Sequence, residues 1–164
     1  MPTLPEMLDF RQRASAYVLR NSAAKGLEVL VMLHRDSREA GVQIPGGGAH
    51  AHETLGETAV REAMEETGVR ELVFAEVLSS KLMRISRGGG LQVNTYSWLR
   101  TGDARDAWDH TVVSADEDNG LRMRCEFRPI ASAGIDWGMD VFLRKAEERF
   151  AAMSASAESA ITFV

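Results

Sequence analysis

The sequence predicts an α/β domain in which helices sandwich a mixed β-sheet, and three observations carry that prediction. Short apolar or alternating runs recur along most of the chain, as strands require. Helical patterning is confined to two well-separated stretches, so the order is mostly strands with two helices at separated positions. The 164 residues, 45% apolar and 26% charged, suffice to bury a substantial core in one domain without disulfide staples.

Residues 14–20, with Ala16, Val18 and Leu19, read as a first strand. Residues 27–34 read as a second, continuously apolar one, and 21–26 make the turn between them. Residues 42–44 lead into the run Pro45, Gly46, Gly47, Gly48. A helix is specified over 55–67: Thr54 and Glu57 have capping-box spacing, Gly56 falls in the first turn, and Gly68 stands where a left-handed terminal residue is wanted. Residues 72–82 and 91–100 are strand-like, joined by a glycine-rich tip at 87–90. In 91–100, Leu91, Val93, Thr95 and Ser97 alternate with Gln92, Asn94, Tyr96 and Trp98. Residues 121–130 alternate again, Met123, Cys125 and Phe127 against Arg122, Arg124 and Glu126. Residues 136–150 read as a second amphipathic helix, its faces marked by Val141, Phe142, Lys145 and Arg149. The domain therefore spans 1–150. Residues 151–164 are an Ala/Ser-rich tail whose composition suits disorder, with Ile161, Phe163 and Val164 available to dock on the body or a partner.

The first helix carries the chemistry. Glu62, Glu65 and Glu66 are three and four positions apart, so their carboxylates project from one face. Each like-charge pair costs roughly 0.2–0.5 kcal/mol on an exposed helix, a cost that a divalent cation would turn into a favourable oxygen cage. Arg61 tempers the repulsion from four positions away from Glu65 and Glu57. Ala59 and Ala63 are small enough to let the helix lie close on a sheet. The run Gly46, Gly47, Gly48 suits positive backbone angles and backbone amides that approach an anion closely. Taken singly, an acidic helix reads as solvated surface and a glycine run as a turn; their conjunction is what indicates a site.

At this point the segment from Gly47 to Val69 resembles the signature of the Nudix hydrolases, G-x5-E-x7-R-E-U-x-E-E-x-G-U with U aliphatic. Gly47, Glu53, Arg61, Glu62, Ala63, Glu65, Glu66, Gly68 and Val69 fill all nine defined positions over 23 residues. The resemblance implies a Nudix-type α/β/α sandwich. It also implies hydrolysis, by water attack, of the diphosphate linkage in a nucleoside diphosphate joined to another moiety, with Mg²⁺ or Mn²⁺ as cofactor. It further implies that Glu62, Glu65 and Glu66 hold metal, with Glu65, Glu66, Arg61 and Glu53 as the catalytic set. In that set Glu65 ligates or acts as base, Glu53 assists from the preceding turn, and Arg61 fixes carboxylate geometry. A distant acidic loop supplies the base in some members of the family, and Asp116, Glu117 and Asp118 offer one here, although the following Asn119-Gly120 gives it the chemistry of a solvated turn. Many members carry an acidic residue where His50 stands and glycine where His52 stands. Histidine favours Mn²⁺ over Mg²⁺, but a plain loop role fits both residues.

The expected partner is a small phosphoanhydride, a nucleotide in the first instance. Gly46, Gly47 and Gly48, together with Lys81, Arg84 and Arg87 around the glycine-rich tip, are the expected substrate-binding set. Arg11 and Arg13 are further cations, and Tyr96, Trp98, Trp108 and Trp137 are the aromatic candidates for a base. Net charge of −5 argues against broad DNA binding. No apolar run approaches the roughly 18 residues of a membrane span, and the N-terminus lacks a signal-peptide core, so a cytoplasmic protein is expected. Cys125 is read as a small buried hydrophobe. Oligomeric state is left open, a homodimer included. The alternative to an enzyme is a non-hydrolytic, nucleotide-binding regulator of the same fold; retention of Glu53, Glu62, Glu65 and Glu66 favours the enzyme. A structural Ca²⁺ helix lacks the Asp/Asn spacing of an EF-hand loop.

Overall fold

The structure, a computed structural model, is described for residues 10–85 and 90–162, and for side chains through residue 156. Eight strands form one sheet: β1 (Phe10–Ser22), β2 (Gly26–His34), β3 (Val42–Gln43), β4 (Gly46–Gly48), β5 (Leu72–Arg84), β6 (Leu91–Thr101), β7 (Ala107–Thr111) and β8 (Arg122–Pro129). Two helices flank it, α1 (Leu55–Thr67) and α2 (Leu143–Thr162). The order is β5-β6-β1-β2-β8-β7, with β3 on β2 and β4 on β1. Parallel pairing of β1 with β6 makes the sheet mixed; the other pairs are antiparallel. The predicted α/β sandwich is the observed one.

Alternation along β1 builds both cores. Ala14, Ala16 and Val18 face α1, packing with Ala59 and Ala63 of that helix and with Met123, Cys125 and Phe127 of β8. Tyr17 and Leu19 face the other way, joining Tyr96, Trp98, Leu143 and Ala146 beneath α2. Small residues on the facing surfaces of β1 and α1 bring the helix close to the sheet, which sets the depth of its acidic face. Cys125 is fully buried, and burial pushes its thiol pKa up to about 12, so it behaves as a hydrophobe.

Three expectations need correction. Strand β7 has no counterpart in the sequence reading, because five residues holding Asp109 and His110 give little apolar pattern. The second helix starts at Leu143 rather than at 136, since Trp137 and Gly138 adopt φ of 62° and 70°, outside the helical region. It continues to Thr162, through the segment read as a tail. Arg87, Phe163 and Val164 lie outside the described residues, and the side chain of Ile161 lies outside the described side chains.

Candidate active site

The capping of α1 is as expected. Thr54 Oγ1 accepts from the Glu57 amide, the Glu57 side chain accepts from the Thr54 amide, and Gly68 ends the helix at φ 65°. The glycine run behaves differently from the expected loop. Gly46, Gly47 and Gly48 form β4, paired with Ser15, Ala14 and Arg13, and none has positive φ. Glycine is needed there for space. A Cβ at Gly46 would lie 2.8 Å from the Ala14 carbonyl oxygen, and one at Gly47 would overlap the Glu62 carboxylate. The Gly46 amide is also occupied, since it donates to Glu66 Oε1 at 2.7 Å.

Arg61 organises the acidic face. Its Nε and Nη2 donate to the two oxygens of Glu53 at 2.7 and 3.0 Å, its Nη1 reaches Glu62 at 2.9 Å and Glu65 at 3.2 Å, and Nη2 also donates to the Gly48 carbonyl at 2.9 Å. Glu53 further accepts from Thr58 Oγ1 at 2.7 Å and from the His50 amide at 3.0 Å. The Arg61 guanidinium and these donors hold its pKa down to about 2. Glu53 is thus a permanently ionised clamp on Arg61, and its oxygens are taken up in that clamp.

Glu62 and Glu66 are in the opposite condition. Both are buried, 3% and 5% exposed. Burial raises both pKa values, Glu66 to about 8, with the neighbouring Glu62 and Asp118 charges pushing it the same way. Among the described residues two sets of carboxylates have oxygens within 4.8 Å of one another: Glu62, Glu66 and Asp118, and Glu62, Glu65 and Asp116. Hard oxygen donors, clustered and desolvated to the point that one would hold a proton at neutral pH, match what a divalent cation supplies and requires. The residues present fit Mg²⁺ or Mn²⁺.

Asp116 and Asp118 reach the helix because β7 and β8 form a hairpin. Its register pairs Thr111 with Arg122, and the tip closes through Val112 and Gly120. The predicted turn chemistry of Asn119-Gly120 is present too: Gly120 has φ 89°, the Leu121 amide donates to the Asp118 carbonyl at 3.1 Å, and Asn119 Oδ1 accepts from the Ser114 amide at 3.0 Å. His50 Nε2 lies 3.1 Å from Asp116 Oδ2. His52 has φ 69°, so it occupies a backbone where glycine would be unstrained.

The same hairpin fixes the far end of α1. Arg105 Nη2 donates to the Gly68 carbonyl at 3.1 Å, Trp108 Nε1 to that of Thr67 at 2.5 Å, and His110 Nε2 lies 2.9 Å from that of Glu65. A carbonyl can only accept, so His110 carries its proton on Nε2 there. Three terminal carbonyls that an isolated helix would leave to solvent are thereby tied to the sheet. Sequence reasoning offered Trp108 only as an aromatic for a base and missed Arg105 and His110, because nothing local marks a side chain as a cap for a helix roughly forty residues earlier.

A cleft of about 530 Å³ opens beside the carboxylates, lined among others by Arg11, Arg13, Gln43, Gly47 and the acidic tip. Of the expected phosphate-binding cations, Lys81 and Arg84 are exposed on β5 and do not line it. Arg11 and Arg13 on β1 do.

The chain matches the family model described as NUDIX domain over residues 9–130. No curated protein matches it. Among solved structures it is similar to an Ap4A hydrolase of C. elegans in a binary complex, at 19% identity and a TM-score of 0.62, covering 87% of this chain and 98% of that one. A Nudix hydrolase of M. smegmatis superposes with a TM-score of 0.57 at 15% identity, covering 86% of each chain. A MutT Nudix hydrolase of Burkholderia pseudomallei gives 0.50 at 19% identity, over 75% of this chain and 85% of that one.

Proposed function

The chain belongs to the Nudix hydrolase family, a pyrophosphohydrolase by that membership, and we propose that it cleaves the diphosphate linkage of a nucleoside diphosphate derivative with the help of Mg²⁺ or Mn²⁺. The observation that carries this reading is the meeting of Glu62, Glu65 and Glu66 with Asp116 and Asp118, oxygens within 4.8 Å in each set, across fifty residues of chain.

Glu62, Glu66 and Asp118 would hold one cation, and Glu65 and Asp116 with Glu62 a second. Bound there, divalent cations neutralise phosphoryl oxygens and make water a better nucleophile. The chain's own residues do the rest. The Gly46 amide and Arg61 fix the Glu66 and Glu62 carboxylates, so no reorganisation is needed as charge develops. Arg13, half-buried beside Glu66, and Arg11 bind the outer phosphate oxygens. Water adds its oxygen to phosphorus as the bridging P–O bond breaks. Glu65, or Asp116 across from it, takes the proton, and the bridging oxygen leaves on the departing phosphate. Glu53 stays with Arg61 and acts through it.

Among the described residues no helix is long and apolar enough to cross a membrane. We place the enzyme in the cytoplasm, with nucleotides and Mg²⁺. The test is release of phosphate or nucleoside monophosphate from a panel of nucleoside triphosphates, nucleotide sugars, ADP-ribose and dinucleoside polyphosphates, each with Mg²⁺, Mn²⁺ or chelator. Metal-dependent release from one class is expected. Silence across the panel with metal present would overturn the nucleotide reading.

A further inference from the structure

We infer that His50 is a positioning residue: its imidazole latches the tip of the β7–β8 hairpin to the turn before α1, and so sets Asp116 against Glu62 and Glu65 as a cation-binding group. This rests on the reading above, in which those three carboxylates hold a second divalent cation. The tip has little else to fix it. Beyond the buried Val112, none of residues 113–121 is buried, so packing does not lock the segment. Its other bonds are internal. Ser114 Oγ donates to Asp118 Oδ1 at 2.7 Å and accepts from the Asp116 amide at 3.2 Å, and Asn119 Oδ1 accepts from the Ser114 amide. Among the described residues, the pair His50 Nε2 and Asp116 Oδ2, 3.1 Å apart, is the one hydrogen bond that joins residues 112–121 to the rest of the chain.

The other end of the latch is fixed. The His50 amide donates to Glu53 Oε1 at 3.0 Å, and its carbonyl accepts from the Glu53 amide at 3.2 Å, closing a β-turn whose third residue, His52, takes φ 69°. One residue earlier, the Ala49 amide donates to the Gln12 carbonyl of β1 at 2.9 Å. Glu53 is itself gripped by Arg61, so the imidazole projects from a backbone tied to the same carboxylate that orients the guanidinium. Arg61 and His50 meet again at the tip. Arg61 Nη1, which bonds Glu62 and Glu65, lies 3.7 Å from Asp116 Oδ2. That is too long for a hydrogen bond, which leaves the aim of Asp116 to His50.

A carboxylate oxygen accepts, so His50 carries a proton on Nε2 in this pair. That nitrogen is spent on Asp116 and has no lone pair for a metal. The imidazole therefore acts through the carboxylate, and the set Glu62, Glu65, Asp116 stays all-oxygen, as Mg²⁺ and Mn²⁺ prefer. A bond of this outer kind fixes the direction of a ligand before the ion arrives, and its loss costs about 10–100-fold in metal affinity. The set built from Glu62, Glu66 and Asp118 has no such dependence, since Asp118 is held by Ser114 within the tip.

The test is titration with Mn²⁺, read by electron paramagnetic resonance, of wild type, His50→Ala, His50→Gln, Asp116→Asn and the double variant His50→Ala with Asp116→Asn. A thermal melt in chelator checks that each is folded. Wild type is expected to bind a second, weaker Mn²⁺ besides the first. His50→Ala should weaken the second ion about tenfold or more and leave the first unchanged. His50→Gln, whose amide N–H stands near the place of Nε2–H, should restore most of the loss. The double variant should bind the second ion no more weakly than Asp116→Asn alone, because the imidazole acts only through that carboxylate. Spin-echo modulation from a nitrogen bonded to Mn²⁺ should be absent. Two ions bound by His50→Ala within twofold of wild type, or equal losses in the Ala and Gln variants, would overturn the latch alone. A metal-bonded nitrogen signal that vanishes in His50→Ala would overturn it in favour of direct ligation. A wild type that binds no second ion would remove the two-cation arrangement and the latch with it, whereas the hydrolase reading is decided separately by the substrate panel.

Discussion

The Gly46 amide donates to Glu66 Oε1 at 2.7 Å, and this one bond ties the glycine strand to a buried carboxylate of the acidic helix. The carboxylate is held in place before any cation arrives, and its burial makes it a poor anion until one does.

Stability without metal should therefore depend on Glu66. Its pKa rises from an ordinary 4.5 to about 8 on folding. A carboxyl raised in this way contributes fully below pH 4.5, and the contribution is lost as pH rises towards 8. In chelator, wild type should lose on the order of 2–3 kcal/mol between pH 5 and 7 relative to Glu66→Gln. Thermal melts of the two proteins across that range check this. Millimolar Mg²⁺ should remove the difference by stabilising wild type alone.

Arg61→Lys tests the clamp. A lysine keeps one charge but cannot bond Glu53 at two oxygens while reaching Glu62, Glu65 and the Gly48 carbonyl. Turnover should fall about 10–100-fold, as for other residues that orient metal ligands, with the Mg²⁺ concentration for half-maximal rate raised. Steady-state kinetics against metal concentration would read both.

Gly47→Ala places a methyl where the Glu62 carboxylate stands. The carboxylate must swing away or the strand must shift. Metal affinity should drop about tenfold, measured by calorimetric titration with Mn²⁺, and the loss should exceed that in Gly48→Ala, whose Cβ would meet open space.

Asp103 predicts a second pH dependence, on a residue outside the acidic cluster of α1. Its carboxylate accepts from Arg105 side chain and amide and from the Arg70 amide, which together hold its pKa down to about 2 from 3.8. A depressed carboxyl contributes its stability above 3.8 and loses it as pH falls through 2. Asp103→Asn should cost about 2 kcal/mol at pH 7 and flatten the acid limb of denaturation between pH 4 and 2.

Local signals made most of this molecule legible in advance. Capping at Thr54 and Gly68 bounded α1 because a cap is a contact between near neighbours in sequence. The alternation of Met123, Cys125 and Phe127 gave β8 its inner face. Apart from β7, whose five residues give little apolar pattern, the failures share a cause, which is that the deciding contact lies far along the chain. Residues around Val141 and Phe142 do carry an amphipathic pattern, yet Asp136 and Tyr17 hold the preceding turn in a non-helical path. Gly46–Gly48 needed glycine, but for the closeness of Glu62 and β1 rather than for turning. Asp116 and Asp118 carried a turn signal that was correct; the β7–β8 hairpin brings their oxygens beside Glu62, a meeting that the sequence offered only through the family resemblance. Lys81 and Arg84 were chosen for their nearness to a glycine-rich tip, whereas Arg11 and Arg13 reach the cleft.

The most direct test of the central claim is turnover of Glu66→Gln at saturating Mg²⁺ on whichever diphosphate wild type cleaves, with a melt in chelator as the folding control. The account predicts a rate at least about a hundredfold lower in a protein at least as stable as wild type without metal. A near-wild-type rate would contradict it, because the buried carboxylate fixed by Gly46 would then hold no cation that the reaction needs.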